Sequence, residues 1–353
     1  MIPVPANRLL DAGRFGATFE FTAEDDAGPF LDLHPLAAPQ LRADTTASIH
    51  RTVTGFRLAA HERAQIDPLS NRVRIVMRLS DGTVWPCGVF LFAGGSGTLA
   101  TTNAEFTGTL YDLGPLIDAP VPYAFGVAPG ELLTDAVAWL LADAGVDEFV
   151  IDPSDQRAGA PLNFAVGTVR RQILASLTEL LGYLPTHFDS AGVGRVRRPL
   201  PLELGQGHLY DRTQASSRIL SGEVGEQLLS APGAHLVIGS GVSTGAVTGY
   251  AEVPFTSPLN PARRRHTRIA VHRPQGVADS LHAASIAEAH ASRQPTDYRT
   301  VTFTSTIDPR HDLFETVDVA LPGEDLEPWR ETGFSFACGP PFSMSHDLVR
   351  SAA

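Results

Sequence analysis

The chain has 353 residues, of which 43% are hydrophobic and 19% charged, and its formal net charge is −12. That length suits two to three domains rather than one core. The acidic balance argues against a surface that neutralises nucleic-acid phosphates, and it fits a soluble protein that avoids non-specific contact with nucleic acid. All 27 basic residues are Arg. Two cysteines, Cys87 and Cys338, exclude a disulfide framework and a cysteine zinc site, and leave one bridge between them open. The start, "MIPVPANRLLDAGRFG", lacks a basic segment followed by a long apolar run, so no signal peptide is expected. No apolar run reaches the ~18 residues that span a bilayer. The expectation is a protein made and kept in the cytosol, or released by lysis, with no membrane insertion.

The first third reads as strands. "ATFEFT" (Ala17–Thr22) alternates apolar and polar residues, and "ASIHRTVTGFRL" is β-branched at Ile49, Thr52, Val53 and Thr54. In "NRVRIVMRL" Val73, Ile75, Met77 and Leu79 share one face, and Arg72, Arg74, Val76 and Arg78 the other. Asp81-Gly82 is a hairpin turn. The return strand "VWPCGVFLFA" contains Pro86, which cannot donate to a ladder and so predicts an edge or a bulge. "GGSG" (Gly94–Gly97) is expected to be a second turn before "AEFTGTLYD", the last strand of an antiparallel barrel or sandwich.

The middle changes period. Leu132, Leu133, Ala136, Val137, Leu140 and Leu141 form one helical stripe, with Pro129 before it and Gly145 beyond. "EFVID" is a short strand. A second helix follows, with Thr168 as its expected N-cap, an apolar face of Val169, Ile173, Leu177, Leu180 and Leu181, and Gly182 at its end. "YLPTHFD", a turn and "RVRR" complete an α+β unit of two helices on a small sheet.

The last third returns to strands. Ala234–Gly241 and Ala246–Val253 read as a hairpin. "PFTSPLNPARRRH" reads as a long loop, and "VADSLHAASIAEAHASRQ" as an Ala-rich helix capped by Asp279. Tyr298–Ile307 is a β-branched strand, and "DPRHDLFETVDVALP" a turn and a further strand. The fold expected is therefore α+β and β-rich, with two antiparallel β-barrel domains around an α+β insert. The boundaries are residues 1–118 for the first barrel, 119–203 for the insert, and 204–353 for the second barrel with a helix near 277–293 and a C-terminal segment.

Candidate chemistry is sparse. His282 and His290 are eight apart on one helix, but zinc-binding helices place ligands at i and i+4 and position 286 is Ile. They read as solvated, and no metal or cofactor site is predicted. His311-Asp312 lies in a turn, and no G-x-S-x-G elbow supplies a nucleophile. "GSGVSTG" (Gly239–Gly245) lacks the Lys of a phosphate loop and precedes a strand. The acidic groups Glu24-Asp25-Asp26 and Glu324-Asp325 read as solvated loops. No catalytic residue is assigned. "RRRH" is the sharpest basic cluster, and Arg263, Arg264 and Arg265 are the candidate contacts to an acidic neighbouring subunit.

With these segments in order, the chain resembles the baseplate hub or tail-tip minor tail proteins of long-tailed actinobacterial bacteriophages. "IDPLSNRVRIVMRLSDGTVWPCGVFLF" is similar to that family's first-barrel hairpin. "LLTDAVAWLLADAGVDEFVIDPSD" with "FAVGTVRRQILASLTELLGYLPTHFDSAGVGRVRRPLPL" resembles its insert, and "IAEAHASRQPTDYRTVTFTSTIDPRHDLFETVDVALP" its closing helix and two strands. The resemblance implies a structural hub, not an enzyme. It implies a homotrimer whose paired barrels approximate a six-fold ring, joining the tail tube to the tip and lining the DNA exit channel. The implied partners are the tail tube or distal tail protein, the tape measure protein, other tip or fibre proteins, and phage DNA passing without specific binding. The implied location is the virion tail tip, assembled in the host cytoplasm. Two alternatives are a tail-associated cell-wall hydrolase and a host carbohydrate-binding tail protein. The latter needs exposed aromatic residues, for which Trp329 is the candidate and Trp139, on a helix stripe, is expected to be buried.

Overall fold

The computed structural model describes residues 16–97, 105–200, 202–205, 207–211, 219–226, 231–240, 246–255, 257, 259–264, 267–274, 276–277, 279–293, 299–320 and 325–350. A 13-stranded sheet dominates it. The N-terminal part supplies β1 (Ala17–Asp25), β2 (Gly28–Leu33), β3 (Gln40–Asp44), β4 (Arg51–Ala59), β5 (Arg72–Leu79), β6 (Val84–Gly97) and β7 (Glu105–Tyr111). Next come the strands of the insert, β8 (Phe125–Val127), β9 (Phe149–Ile151), β10 (Leu162–Phe164), β11 (His187–Phe188) and β12 (Gly194–Val196). Beyond it lie β13 (His208–Asp211), β14 (Ile219–Glu226), β15 (Ala234–Ser240), β16 (Ala246–Glu252), β17 (Ile269–His272), β18 (Arg299–Thr306), β19 (Thr316–Ala320), β20 (Leu326–Ala337) and β21 (Ser343–Arg350).

The large sheet runs β14-β18-β21-β20-β3-β4-β7-β6-β5-β1-β2, with β19 also on β20 and β13 on β19. The two strand-rich ends of the chain are therefore one hydrogen-bonded surface, joined where Gly333–Ala337 of β20 pairs antiparallel with Asp44–Gln40 of β3. Each half curls round its own core. In the first, Phe19 of β1 stacks on Phe336 of β20 at 5.9 Å, although five strands separate them in the sheet. In the second, Tyr210 of β13 meets Phe303 of β18 at 5.0 Å, and Val317, Val319, Trp329 and Leu348 complete that core. Among the described strands no pairing closes either curl, so the expectation of two separate barrels is replaced by two curled halves sharing β20.

Local chemistry explains the strands. The inward residues of β5 (Val73, Ile75, Met77, Leu79) are all buried. Two of its outward arginines pair with the neighbouring strand, Arg74 with Glu24 at 2.7 Å and Arg78 with Glu20 at 2.5 Å, and Arg72 reaches Asp147 at 3.1 Å. Glu24 is thus held against the sheet and is not part of a solvated loop. Opposite, the register slips between Ile75 and Val76, whose partners are Gly88 and Pro86, so the proline is accommodated at a bulge. Gly94–Gly97 is a correction: these residues continue β6 against β7 and make no turn. Their glycines make room, because a Cβ on Gly95 would lie 2.2 Å from the ring of Phe106.

The insert carries the two expected helices, Leu133–Asp143 and Arg170–Leu181, with β10 on β8 and β11-β12-β9 beside them. Leu133, Val137, Leu140 and Leu141 of the first and Ile173, Leu177 and Leu180 of the second are buried in one cluster. Gly182 ends the second helix in the left-handed region, at φ 75°. Thr168 does not cap it. The N-cap is Val169, and the Thr168 hydroxyl donates to the Ala165 carbonyl at 2.7 Å. At this end the Arg170 backbone N–H finds Ala119 O at 3.2 Å, while its guanidinium ties the helix to the chain before it by donating to Ala119 O, Pro120 O and Asp143, the last at 2.6 Å.

The hairpin β15–β16 forms as expected, but outside the large sheet. With β17 it makes a separate three-stranded sheet. The helix Ser280–Arg293 lies on it, its start capped by Asp279 Oδ1, which accepts from the His282 backbone N–H at 2.8 Å. A Cβ on Gly249 would sit 2.1 Å from the backbone carbon of Ala283, so glycine sets how closely helix and strand approach. Val237, Val277, Ala283, Ile286 and Ala287 join the same core as the insert's helices. No helix among the described residues is long and apolar enough to cross a membrane.

Candidate functional site

The predicted arginine cluster is only partly displayed. Arg263 is exposed in a turn that its backbone N–H closes onto Asn260 O at 2.9 Å. Arg264 is half-buried and donates to Ala231 O at 3.1 Å. Arg265 lies outside the described residues. The segment before them is anchored, not loose: Leu259 is buried with Ala231 and Val253, and Asn260 Nδ2 donates to Val253 O at 2.6 Å.

Charged and imidazole side chains gather instead in two interior clusters that sequence reading missed. The first fills the second curl. Glu331, fully buried on β20, accepts from His311 on one oxygen and lies 2.6 Å from His346 Nδ1 on the other. The far nitrogen of His311 meets Tyr210 Oη at 2.9 Å, and that of His346 meets Ser305 Oγ at 2.9 Å. Burial pushes the Glu331 carboxyl up and holds His346 down at about 4, against the opposing pull of Glu331. His208 stacks on His311 at 3.7 Å between Asp308 and Glu315. Burial opposes its charge, but those two carboxylates outweigh burial and raise it to about 9. Asp308 is held well below the usual range, since Arg310 and His208 overcome the cost of burying it. His311 and Asp312 do lie in the link between two strands, β18 and β19, as expected, but their side chains turn into the interior. His311 is core, and Asp312 pairs at 2.5 Å with the buried Arg51 of β4.

The second cluster is His235 on β15, His272 on β17 and His290 on the Ser280–Arg293 helix. His235 Nδ1 is 3.1 Å from His272 Nε2, and the His272 and His290 rings stack at 3.6 Å. Glu179 Oε1 of the insert's second helix is 3.5 Å from His290 Nε2. His282, the residue paired with His290 in the sequence pattern, turns elsewhere and meets Gln156 Nε2 at 3.0 Å. Alternation does not reveal it: in "IAVH" the apolar Ile269 and Val271 would be expected inward, yet they are 46% and 51% exposed and His272 lies on the covered face.

Two clefts open to the surface. One, of about 650 Å³, is lined by His50, Arg171, Glu179, His290, Phe314 and Arg330, among others. Phe314 is held there at φ 64°, where a non-glycine residue is strained, with its ring 4.9 Å from His187. The other, of about 770 Å³, includes Tyr123, Phe125, Trp139 and Arg157. Trp139 is 47% exposed, contrary to expectation, stacking on Phe125 at 5.3 Å with Tyr123 edge-on at 5.6 Å. Trp329 is the reverse: fully buried in the second curl, it offers no surface to a ligand. Both cysteines are free and buried, and burial lifts the Cys87 thiol to about 12, out of nucleophilic range.

Whole-chain comparison with solved structures places this architecture. A tail protein from Neisseria meningitidis MC58 aligns over 94% of this chain and 97% of its own, with a TM-score of 0.65 at 12% identity. The 43 kDa tail protein of prophage MuSo2 from Shewanella oneidensis gives 0.64 at 12% identity, covering 95% and 99%. Prophage tail protein gp18 from Listeria monocytogenes EGD-e gives 0.57 at 10% identity, covering 95% of each. The chain has the fold of phage tail proteins. None of those three organisms is an actinobacterium, so they lend the resemblance no host. No family model matches the chain, and no curated protein does.

Proposed function

We propose that this chain is a structural hub of a phage tail tip, three copies of which join the tail tube to the tip and surround the DNA exit channel. The observation that supports it is the end-to-end likeness of fold to tail proteins, which leaves no sizeable part of the chain for another task. On this reading the two curled halves of each chain give six similar units per ring. Among the described strands β2, β14 and β13 each have one partner only, so the branched sheet ends in three free edges. Head-to-tail contact between such edges closes a cyclic ring. The partners would be two further copies, the tail tube or distal tail protein, the tape measure protein and other tip or fibre proteins, in a virion assembled in the host cytoplasm. DNA would pass without specific binding, since three acidic chains repel phosphates. The reading assigns no catalytic step. A reconstruction of the tail tip by electron cryomicroscopy is the test: three copies about the tail axis are expected, and six copies or one would overturn it.

One observation favours a second reading, contact with a host carbohydrate. Sugar rings pack on exposed aromatic faces, and the Tyr123–Phe125–Trp139 platform is such a face beside Asp135 and Arg157. Trp139→Ala should then abolish binding of the purified protein to host cell-wall polysaccharide while leaving its thermal midpoint within a few degrees. Equal binding by the variant removes this reading.

A further inference from the structure

Three imidazoles from three separate elements converge beside a carboxylate from a fourth. The donor nitrogens of His235, His272 and His290 all lie within 4.8 Å of one another. Their mutual hydrogen bonding is incomplete. One contact, between His235 and His272, uses a nitrogen from each, while the buried His235 Nε2 and His290 Nε2 have no hydrogen-bond partner. Leaving buried polar atoms unsatisfied is costly, and three stacked imidazoles cannot all become charged to relieve it. Two histidines of the second curl are the contrast: both ring nitrogens of His311 and of His346 are engaged by Glu331, Tyr210 or Ser305, while the ring of His208 beside them has no hydrogen bond but lies between Asp308 and Glu315 at 3.6 and 3.7 Å. That cluster is sealed in the core. This one borders the 650 Å³ cleft through His290 and Glu179, which supplies an entry path.

We propose that His235, His272 and His290 bind a zinc ion, with Glu179 as the fourth ligand. Neutral imidazoles and one carboxylate are borderline donors suited to a four-coordinate ion, and they place zinc ahead of calcium or magnesium, which take oxygen ligands. Small rotations of the rings bring nitrogens now up to 4.8 Å apart round one ion. The ligands would come from β15, β17, the Ser280–Arg293 helix and the Arg170–Leu181 helix. The ion would thus tie the separate three-stranded sheet to the insert. A sheet of three short strands has little core of its own, and small units commonly rely on such a staple.

The test uses the full, tag-free chain, stripped with chelator and dialysed, then titrated with Co²⁺ and Zn²⁺. Expected are the visible absorption bands of four-coordinate Co²⁺, their loss on adding one equivalent of Zn²⁺ per chain, and a thermal midpoint that rises with Zn²⁺ concentration. His272→Gln and His290→Gln should each lose the bands, and Glu179→Gln should bind at least about ten-fold more weakly. His282→Gln, on the same helix but bonded to Gln156, should keep them. Circular dichroism of each variant confirms that its fold is retained. Absence of the bands in the wild-type chain overturns the site whatever the variants do. So does their survival in folded His272→Gln and His290→Gln, and equal affinity in Glu179→Gln overturns the part given to the carboxylate.

Discussion

At the residue scale, the interior is defined by histidines in two opposite charge states. Burial holds His50, His187, His235 and His346 near 4, well under their unfolded value of about 6.5. Between pH 6.5 and 4 the unfolded chain takes up protons that the folded chain refuses, so stability is lost as pH falls through that window. His208 works the other way. Its folded value of about 9 lies above the unfolded one, so its contribution is complete below pH 6.5 and is lost as pH rises toward 9. Urea midpoints, measured with chelator present, should peak near pH 6.5 and fall on both sides, more steeply on the acid side, where these four act together with His272 and His282, which burial also lowers. His208→Gln should flatten the alkaline limb. A wild-type midpoint that climbs from pH 6.5 to 9 would contradict the charge assigned to His208. None of these states was readable in the sequence, because His208, Asp308 and Glu315 acquire their meaning only when β13 is laid parallel to β19.

At the element scale, what was legible followed from period. The alternation of β5 and the 3.6-residue stripes of both insert helices carry their burial on their surface, and the structure agrees to within a residue or two. Leu177 is fully buried in the shared core. Leu177→Ala should therefore cost roughly 2–5 kcal/mol, seen as a lower urea midpoint at unchanged slope, and a loss below about 0.5 kcal/mol would mean that the site collapses round the cavity. Period failed where long-range pairing decides. In β20 Pro328 and Gly333 suggest a loop, yet the strand runs for 12 residues because three neighbours hold it. β2, "GPFLDL", begins with a glycine and a proline and shows no clean alternation. The histidine cluster was illegible for the same reason: its members lie on two strands and a helix, and no spacing rule joins them.

At the scale of the whole molecule, the proposed ring makes the arginine turn testable. Arg263 faces outward, Arg264 is tied to Ala231, and a single exposed ion pair contributes only about 0–1 kcal/mol. If Arg263, Arg264 and Arg265 together meet an acidic neighbour, wild-type tail assembly should weaken as salt is raised and the triple Arg→Ala variant should start weak. Assembly of the variant equal to wild type at low salt would leave the turn merely solvated.

Sharing of β20 also sets a clock. Its first residues complete the second curl and its last residues join the first, and both β20 and β21 follow every other described strand in the chain. During synthesis, the N-terminal strands can pair among themselves from β3 to β2, but the edge of β3 stays bare until residues 333–337 have left the ribosome. Chains stalled before that point would display an open edge in a crowded compartment, where strand-on-strand association between nascent copies competes with completion. Translation through β20 and β21 is thus the step that joins the two halves, and slowing it would cost yield of folded protein without altering a single side chain.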